Sequence, residues 1–319
     1  MTSKPSRERL SRSRFLSRFL YCLLLVSAMA HSQDTPAVTL PGTQAFTLHS
    51  PQTGGDYRIQ VSVPDTPAPE QGYAVLYVLD GNARLPLLHM ARDTLTRQGP
   101  YGGGSPLLIV GIGYPGTERF DVSRRALDYT PPTSGPTEDG REQGGAERFL
   151  AFIERTLKPA MAERFPLDAS REALMGHSYG GLFVMHVLQT APHSFERYIA
   201  ISPSLWWQHR QVLEALTTQR DSPGHAPLRH VLISVGEFEQ TPTASEANTP
   251  RGQRKRAHAM VDNARQAAQL LQRLRPQWEI RLEVYPGAHH GSVMWPAARQ
   301  AIEFLAPWDM AGHDTNDRS

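Results

Sequence analysis

The residues best suited to chemistry are Gly176-His177-Ser178-Tyr179-Gly180, a serine framed by a glycine two positions away on each side. On average composition the bare G-x-S-x-G pattern has roughly one chance in ten of arising in a chain of this length, so its surroundings must carry the argument. EALM precedes it and the apolar run GLFVMHVL follows. This is the arrangement of a serine on a sharp strand-to-helix turn, where flanking glycines avoid backbone collisions. The helix start lends positive potential to a forming oxyanion.

A serine hydroxyl is a weak nucleophile until a base takes its proton, so a histidine must be found downstream. EIRLEVYPGAHHGSVMW offers one: a strand over 280–285, then a loop with His289 and His290, with Gly291 expected to let the backbone turn behind the ring. That placement selects His290. An acid should come between serine and histidine, and VLISV-Gly236-Glu237-Phe238-Glu239 supplies two, either able to orient an imidazole. Two backbone N–H groups must hold the oxyanion. Tyr179 follows the serine, and Asn82 in YVLDGNA lies on the loop expected after an early strand, where Gly81 allows close approach. His289-His290 lacks the spacing and partners of a metal site, and Gly102 to Gly104 lacks the Lys-Ser/Thr of a phosphate cradle, so neither a metal nor a cofactor is expected.

Positioning these groups requires a layered scaffold. AVLYVL (74–79), LLIVGI (107–112), YIAI (198–201) and VLISV (231–235) are short continuous apolar runs, as in strands covered on both faces. YRIQVSV (57–63) alternates and is expected near a sheet edge. Helical periods run through Phe149, Ile153, Leu157 and Met161, through Leu182, Met185 and Leu188, and through Val261, Ala264, Ala268, Leu271 and Leu274. Pro159 is expected to kink the first. The alternation implies a doubly wound, mostly parallel α/β sheet with helices on both faces. Residues 114–145 and 237–255 read as long loops, and the tail after Trp308 as polar and frayed.

Charge is uneven. Six of 33 basic residues and one of 31 acidic residues fall within positions 1–30, leaving 27 and 30, a net of −3 over the rest. That balance argues against general nucleic-acid binding. The first segment has an Arg-rich start, the apolar run FLYCLLLV (19–26) and Ala28-Met29-Ala30. It reads as a signal peptide cleaved after Ala30, because eight apolar residues are too few to span a bilayer. A single catalytic domain over 31–319 is expected, without stable membrane insertion after cleavage. The one cysteine, Cys22, lies in the signal, so no disulfide framework follows.

With these motifs in hand, the chain resembles the periplasmic ferric-siderophore esterases of the α/β-hydrolase superfamily that act on enterobactin-type trilactones. The resemblance rests on YVLDGNA, VGIGY, RRALDYTPP, GGAERFLAFIERTLKP, GHSYGGLF, SPSLWW, VGEFE and HHGSV, in that order. It implies Ser178 and His290 as catalytic, Glu239 rather than Glu237 as the acid, a ferric catecholate as small-molecule substrate, and a periplasmic location. Generic carboxylesterase or thioesterase activity on the same fold, and a non-catalytic binding role, are the rival functions. For a polyanionic substrate, charge against the overall balance supplies candidates: Arg124 and Arg125, then Arg251, Arg254, Lys255 and Arg256, with Trp206 and Trp207 able to stack on catechol rings. The competing reading pairs Arg124 or Arg125 with Asp121 or Asp128 and leaves RGQRKR a solvated helix start.

Overall fold

The computed structural model describes residues 38–97, 106–116, 118–133, 140–218 and 228–306. The expected signal peptide, Gly102 to Gly104 and the tail after Trp308 lie outside them. The chain divides into units Met1–Thr39 and Leu40–Ser319, and the fold is that of the second.

Its sheet is built from the apolar runs. In chain order the strands are β1 (Thr43–His49), β2 (Asp56–Ser62), β3 (Tyr73–Leu79), β4 (Leu107–Gly113), β5 (Leu167–His177), β6 (Arg197–Ile201), β7 (His230–Gly236) and β8 (Glu279–Tyr285). They lie in the order β1-β2-β4-β3-β5-β6-β7-β8. β3 through β8 pair in parallel, while β1 and β2 are antiparallel at one side. All seven β3 residues are buried, and the two-residue period of a strand divides them: Val75, Tyr77 and Leu79 enter one core, Ala74, Leu76 and Val78 the other.

The helices are α1 (Gly81–Arg97), α2 (Val122–Asp128), α3 (Ala146–Phe152), α4 (Lys158–Ala162), α5 (Tyr179–Thr190), α6 (Trp207–Thr218), α7 (Pro250–His258), α8 (Met260–Leu274) and α9 (Met294–Leu305). Apolar residues of α1 and α9, including Leu85, Leu88, Met294 and Ile302, fill one face. Phe149, Phe183, Leu213 and Leu271, from α3, α5, α6 and α8, fill the other.

YRIQVSV lies near the sheet edge as expected, one strand in, because TQAFTLH forms β1 outside it. Three expectations change. The segment after β3 is helix from Gly81 onward, so Asn82 stands on the first turn of α1 rather than on a loop. Residues 114–145 contain α2, nucleated where the Asp121 side chain caps the Arg124 N–H. Residues 237–255 contain a 3₁₀ turn and the start of α7, capped by Thr249 with Pro250 in its first turn. At Pro159 the helix does not break. A π turn (Ile153–Leu157) bridges α3 and α4 and absorbs the missing donor.

Candidate active site

Ser178 links β5 to α5 with φ 62° and ψ −118°, a conformation that non-glycine residues rarely hold. Both sides of its backbone are fixed. Its N–H donates to the Ile201 carbonyl at 3.0 Å, and its carbonyl accepts from Leu182 and Ser204 N–H at 2.9 and 3.2 Å. Gly176 is required because a Cβ there would lie 2.3 Å from the Gly180 carbonyl oxygen. The Ser178 and Ser204 hydroxyls are 3.4 Å apart. Tyr179 opens α5, and N–H groups of a first helical turn have no intrahelical acceptor. The same holds for Asn82 on α1. Its side chain donates to the Tyr114 and Glu118 carbonyls at 2.9 and 3.0 Å, fixing that helix start.

The 3₁₀ turn after β7 carries Glu239, whose side chain is only 1% exposed. Its Oε1 accepts from the Ser202 hydroxyl at 2.6 Å and the Gly236 N–H at 2.7 Å, and its Oε2 meets His290 Nδ1 at 2.6 Å. Against an ionised carboxylate Nδ1 must be the donor, which leaves Nε2 as the basic nitrogen. Glu237 is exposed and accepts from the Gly287 N–H at 2.9 Å, so geometry separates the two acids. It separates the histidines too. His289 Nδ1 accepts from the Gly291 and Ser292 N–H groups at 3.2 and 3.3 Å, while His290 reaches the acid. The left-handed residue of this loop is Gly287 (φ 68°), and Gly291, expected to let the backbone turn behind the ring, does so without a positive φ.

Sequence reasoning missed His177. Its Nδ1 lies 3.0 Å from an Arg84 guanidinium nitrogen, which can only donate, so Nδ1 accepts and Nε2–H donates to the His290 carbonyl at 2.8 Å. Burial holds this imidazole's pKa well below the usual histidine value, with the charges of His290 and Arg84 adding to the effect. A neutral ring therefore bridges Arg84 to the backbone of His290. Ser202 was missed as well. The only signal was SPSLWW directly after a buried strand, at the same C-terminal end of the parallel strands as Ser178.

Ser178, Glu239 and His290 line a cavity of about 410 Å³ with Trp206, Arg254 and His258. Arg251 and Lys255 also border it, but both pair with Glu246, at 3.1 and 2.5 Å, and Lys255 holds that carboxyl down at about 2. Arg254 is exposed and has no ion pair among the described residues. Trp206 stacks on His258 with centroids 3.9 Å apart and planes 6° apart, whereas Trp207 is buried and donates to Gln143 at 2.9 Å.

The expectation that Arg124 and Arg125 face substrate is corrected. Arg125 forms a bidentate pair with buried Asp80 at 3.0 and 2.9 Å, its guanidinium 5.8 Å from the centroid of the Tyr179 ring. Arg124 lies 4.7 Å from the ring centroids of both Tyr57 and Tyr114 and donates to the Asp56 carbonyl at 2.6 Å. The acid partners weighed from sequence differ as well: Asp121 caps the helix, and Asp128 accepts from Tyr57 and Tyr114.

A doubly wound sheet of this strand order, with a serine elbow after β5 and a histidine–acid pair after β8 and β7, defines a serine hydrolase of the α/β-hydrolase fold. The Esterase family ("Putative esterase") matches residues 50–298, and the chain belongs to it. It is 36% identical to the ferri-bacillibactin esterase BesA of Bacillus subtilis over 84% of this chain and 91% of that one. It is also 36% identical to a siderophore triacetylfusarinine C esterase of Aspergillus fumigatus, over 86% and 97% respectively. Among solved structures, the siderophore hydrolase EstB of Aspergillus nidulans superposes with TM-score 0.76 at 33% identity, covering 86% of this chain and 98% of its own.

Proposed function

We propose that this protein hydrolyses the ester bonds of an iron-chelating siderophore, a trilactone of catecholate type in its ferric form, with Ser178 as nucleophile, His290 as base and Glu239 as the orienting acid. The observation that carries the chemistry is the buried Glu239 carboxylate, saturated by Ser202, Gly236 and His290, beside a cavity shared with the elbow serine. The Ser178 Oγ attacks the ester carbonyl carbon as His290 Nε2 takes the hydroxyl proton, and Glu239 stabilises the imidazolium. The tetrahedral oxyanion is held by the N–H groups of Tyr179 and Asn82. The carbon–oxygen bond to the leaving alkoxide then breaks, and the alkoxide takes the proton from His290. Water repeats the sequence on the acyl-enzyme and releases a carboxylic acid.

The substrate class rests on the relatives' named substrates and on Arg254 and Trp206 at the cavity: a cation without a counter-ion among the described residues and an aromatic face for a catecholate ring. Export to the periplasm rests on the Arg-rich start, the apolar run 19–26 and Ala28-Met29-Ala30, with maturation at His31. No helix among the described residues is long and apolar enough to cross a membrane. Mass analysis of protein from the periplasm should find His31 first, and an intact Met1 overturns the export reading.

The decisive experiment compares kcat/KM on a ferric catecholate trilactone and on p-nitrophenyl acetate. Wild type should prefer the trilactone, and Ser178→Ala should lose on the order of 10⁶ in kcat together with fluorophosphonate labelling. Labelling that persists in the variant overturns the nucleophile. Wild-type turnover of the simple ester alone makes this a generic carboxylesterase.

A further inference from the structure

Seven non-glycine residues among those described have positive φ, and they gather at two places. Asp80, Ser178 and Ser202 directly follow β3, β5 and β6, at the site described above. The other four, Gln208, His209, Arg210 and Ala259, line a second cavity of about 610 Å³. Three consecutive left-handed residues, with φ 45°, 53° and 68°, are rare for side chains carrying a Cβ. Backbone held this way concentrates at catalytic and ligand-binding surfaces.

The second cavity adjoins the first. Trp206 and His258 line both, as a stacked pair, and Tyr179 extends the second to the residue after the serine. Each side has one guanidinium without a carboxylate partner among the described residues. On the first side it is Arg254. On the second it is Arg210, which donates to the neutral amide of Gln266 and whose buried Nε has no hydrogen-bond partner. A ligand with one anionic ring would leave the second cation unanswered. A ligand with several fits both.

Resting on the siderophore-esterase reading, we infer that the second cavity is a subsite for another anionic aryl arm of the multi-ester ligand whose scissile ester lies at Ser178. The Trp206–His258 stack stands between the two arms, and Arg210 meets the charge of the second. The subsite makes the enzyme selective for multi-armed esters over single-armed ones.

Ala257 is exposed and lines only the second cavity, so Ala257→Trp fills that space without touching the serine's cavity. Kinetics with ferric enterobactin as triester probe and p-nitrophenyl acetate as single-ester probe test the inference, with Arg210→Gln alongside. Both variants should raise KM for the triester about tenfold while kcat/KM on the acetate stays within about twofold of wild type. Retained acetate turnover also reports that the variants fold. Triester KM unchanged in both variants overturns the subsite, and equal losses on both esters assign the cavity to the serine's own pocket instead. Wild type active on the acetate but inert toward the triester overturns the substrate reading and the subsite with it, a result distinct from the other two.

Discussion

Two basic runs look alike in the sequence, Arg124-Arg125 and the cluster 251–256, and the fold treats them oppositely. Arg124 and Arg125 stand on α2, whose Asp121 cap turns them inward: one guanidinium closes on buried Asp80, the other lies over Tyr57 and Tyr114. The 251–256 cluster stands on α7 at the rim of the serine's cavity, where Glu246 neutralises two cations and leaves Arg254 open. A sequence displays charge but not the distant counter-charge. Asp80 is 45 positions from Arg125, and only the adjacency of β3 to the α2 segment makes them a pair.

The sharpest way to break this contrast is Arg125→Ala. It removes the bidentate partner of the buried Asp80 carboxylate and leaves only the charge of Arg84 nearby, which should destabilise the protein by about 3–5 kcal/mol, because removing one member of a buried pair leaves the other without its hydrogen-bonded counter-charge. Urea unfolding checks it. A stability within about 1 kcal/mol of wild type would mean that Arg125 is as free as Arg254. Arg84 extends the inward group through His177. His177→Phe removes the donor to the His290 carbonyl and strands Arg84, so kcat should fall about tenfold with KM nearly unchanged. His177→Gln, able to accept from Arg84 and donate to His290, should recover most of that loss. Equal impairment in both variants would leave His177 a packing residue only.

The legibility of the fold and site follows the same division. Strands buried on both faces announce themselves as apolar runs, so β3, β4, β6 and β7 were readable, and so were the serine between β5 and α5 and the edge strand β8, read from EIRLEVY ahead of the histidine loop. The weakly amphipathic β1 was not, and α1 was hidden by Gly81 and Pro86 near its start. Choosing Glu239 over Glu237 required knowing which carboxylate a 3₁₀ turn directs inward. The resemblance indicated it, and the spacing alone did not. His177 was invisible because its roles depend on Arg84 and on the His290 backbone, 93 and 113 residues away.

Arg254→Ala sharpens the outer half of the comparison. Arg254 is exposed, so stability should hardly change, while KM for a ferric catecholate ester should rise about three- to tenfold and that for p-nitrophenyl acetate should not. The wild-type advantage should shrink as salt rises, since exposed charges are screened. A loss that is equal for both esters and indifferent to salt would remove Arg254 from substrate binding.

The smallest effect concerns Asp128, buried beside the inner arginines. Desolvation raises its carboxyl to about 6, and hydrogen bonds from Tyr57 and Tyr114 with the charge of Arg124 only partly offset this. A carboxyl whose folded pKa lies above its unfolded value binds its proton more tightly when folded. Its contribution is therefore greatest below the unfolded pKa and is lost as pH rises through about 6. Most acidic groups act in the opposite sense, so the comparison must be made against a variant that lacks only this titration. For Asp128→Asn, the stability difference between wild type and variant should move toward wild type by about 1 kcal/mol on acidification from about pH 7 to 5. Urea midpoints at the two pH values measure it. A difference that moves the other way would mean that Arg124 holds Asp128 ionised, making the inner cluster two ion pairs rather than one pair, Arg125 with Asp80, beside a carboxyl kept by tyrosine hydroxyls.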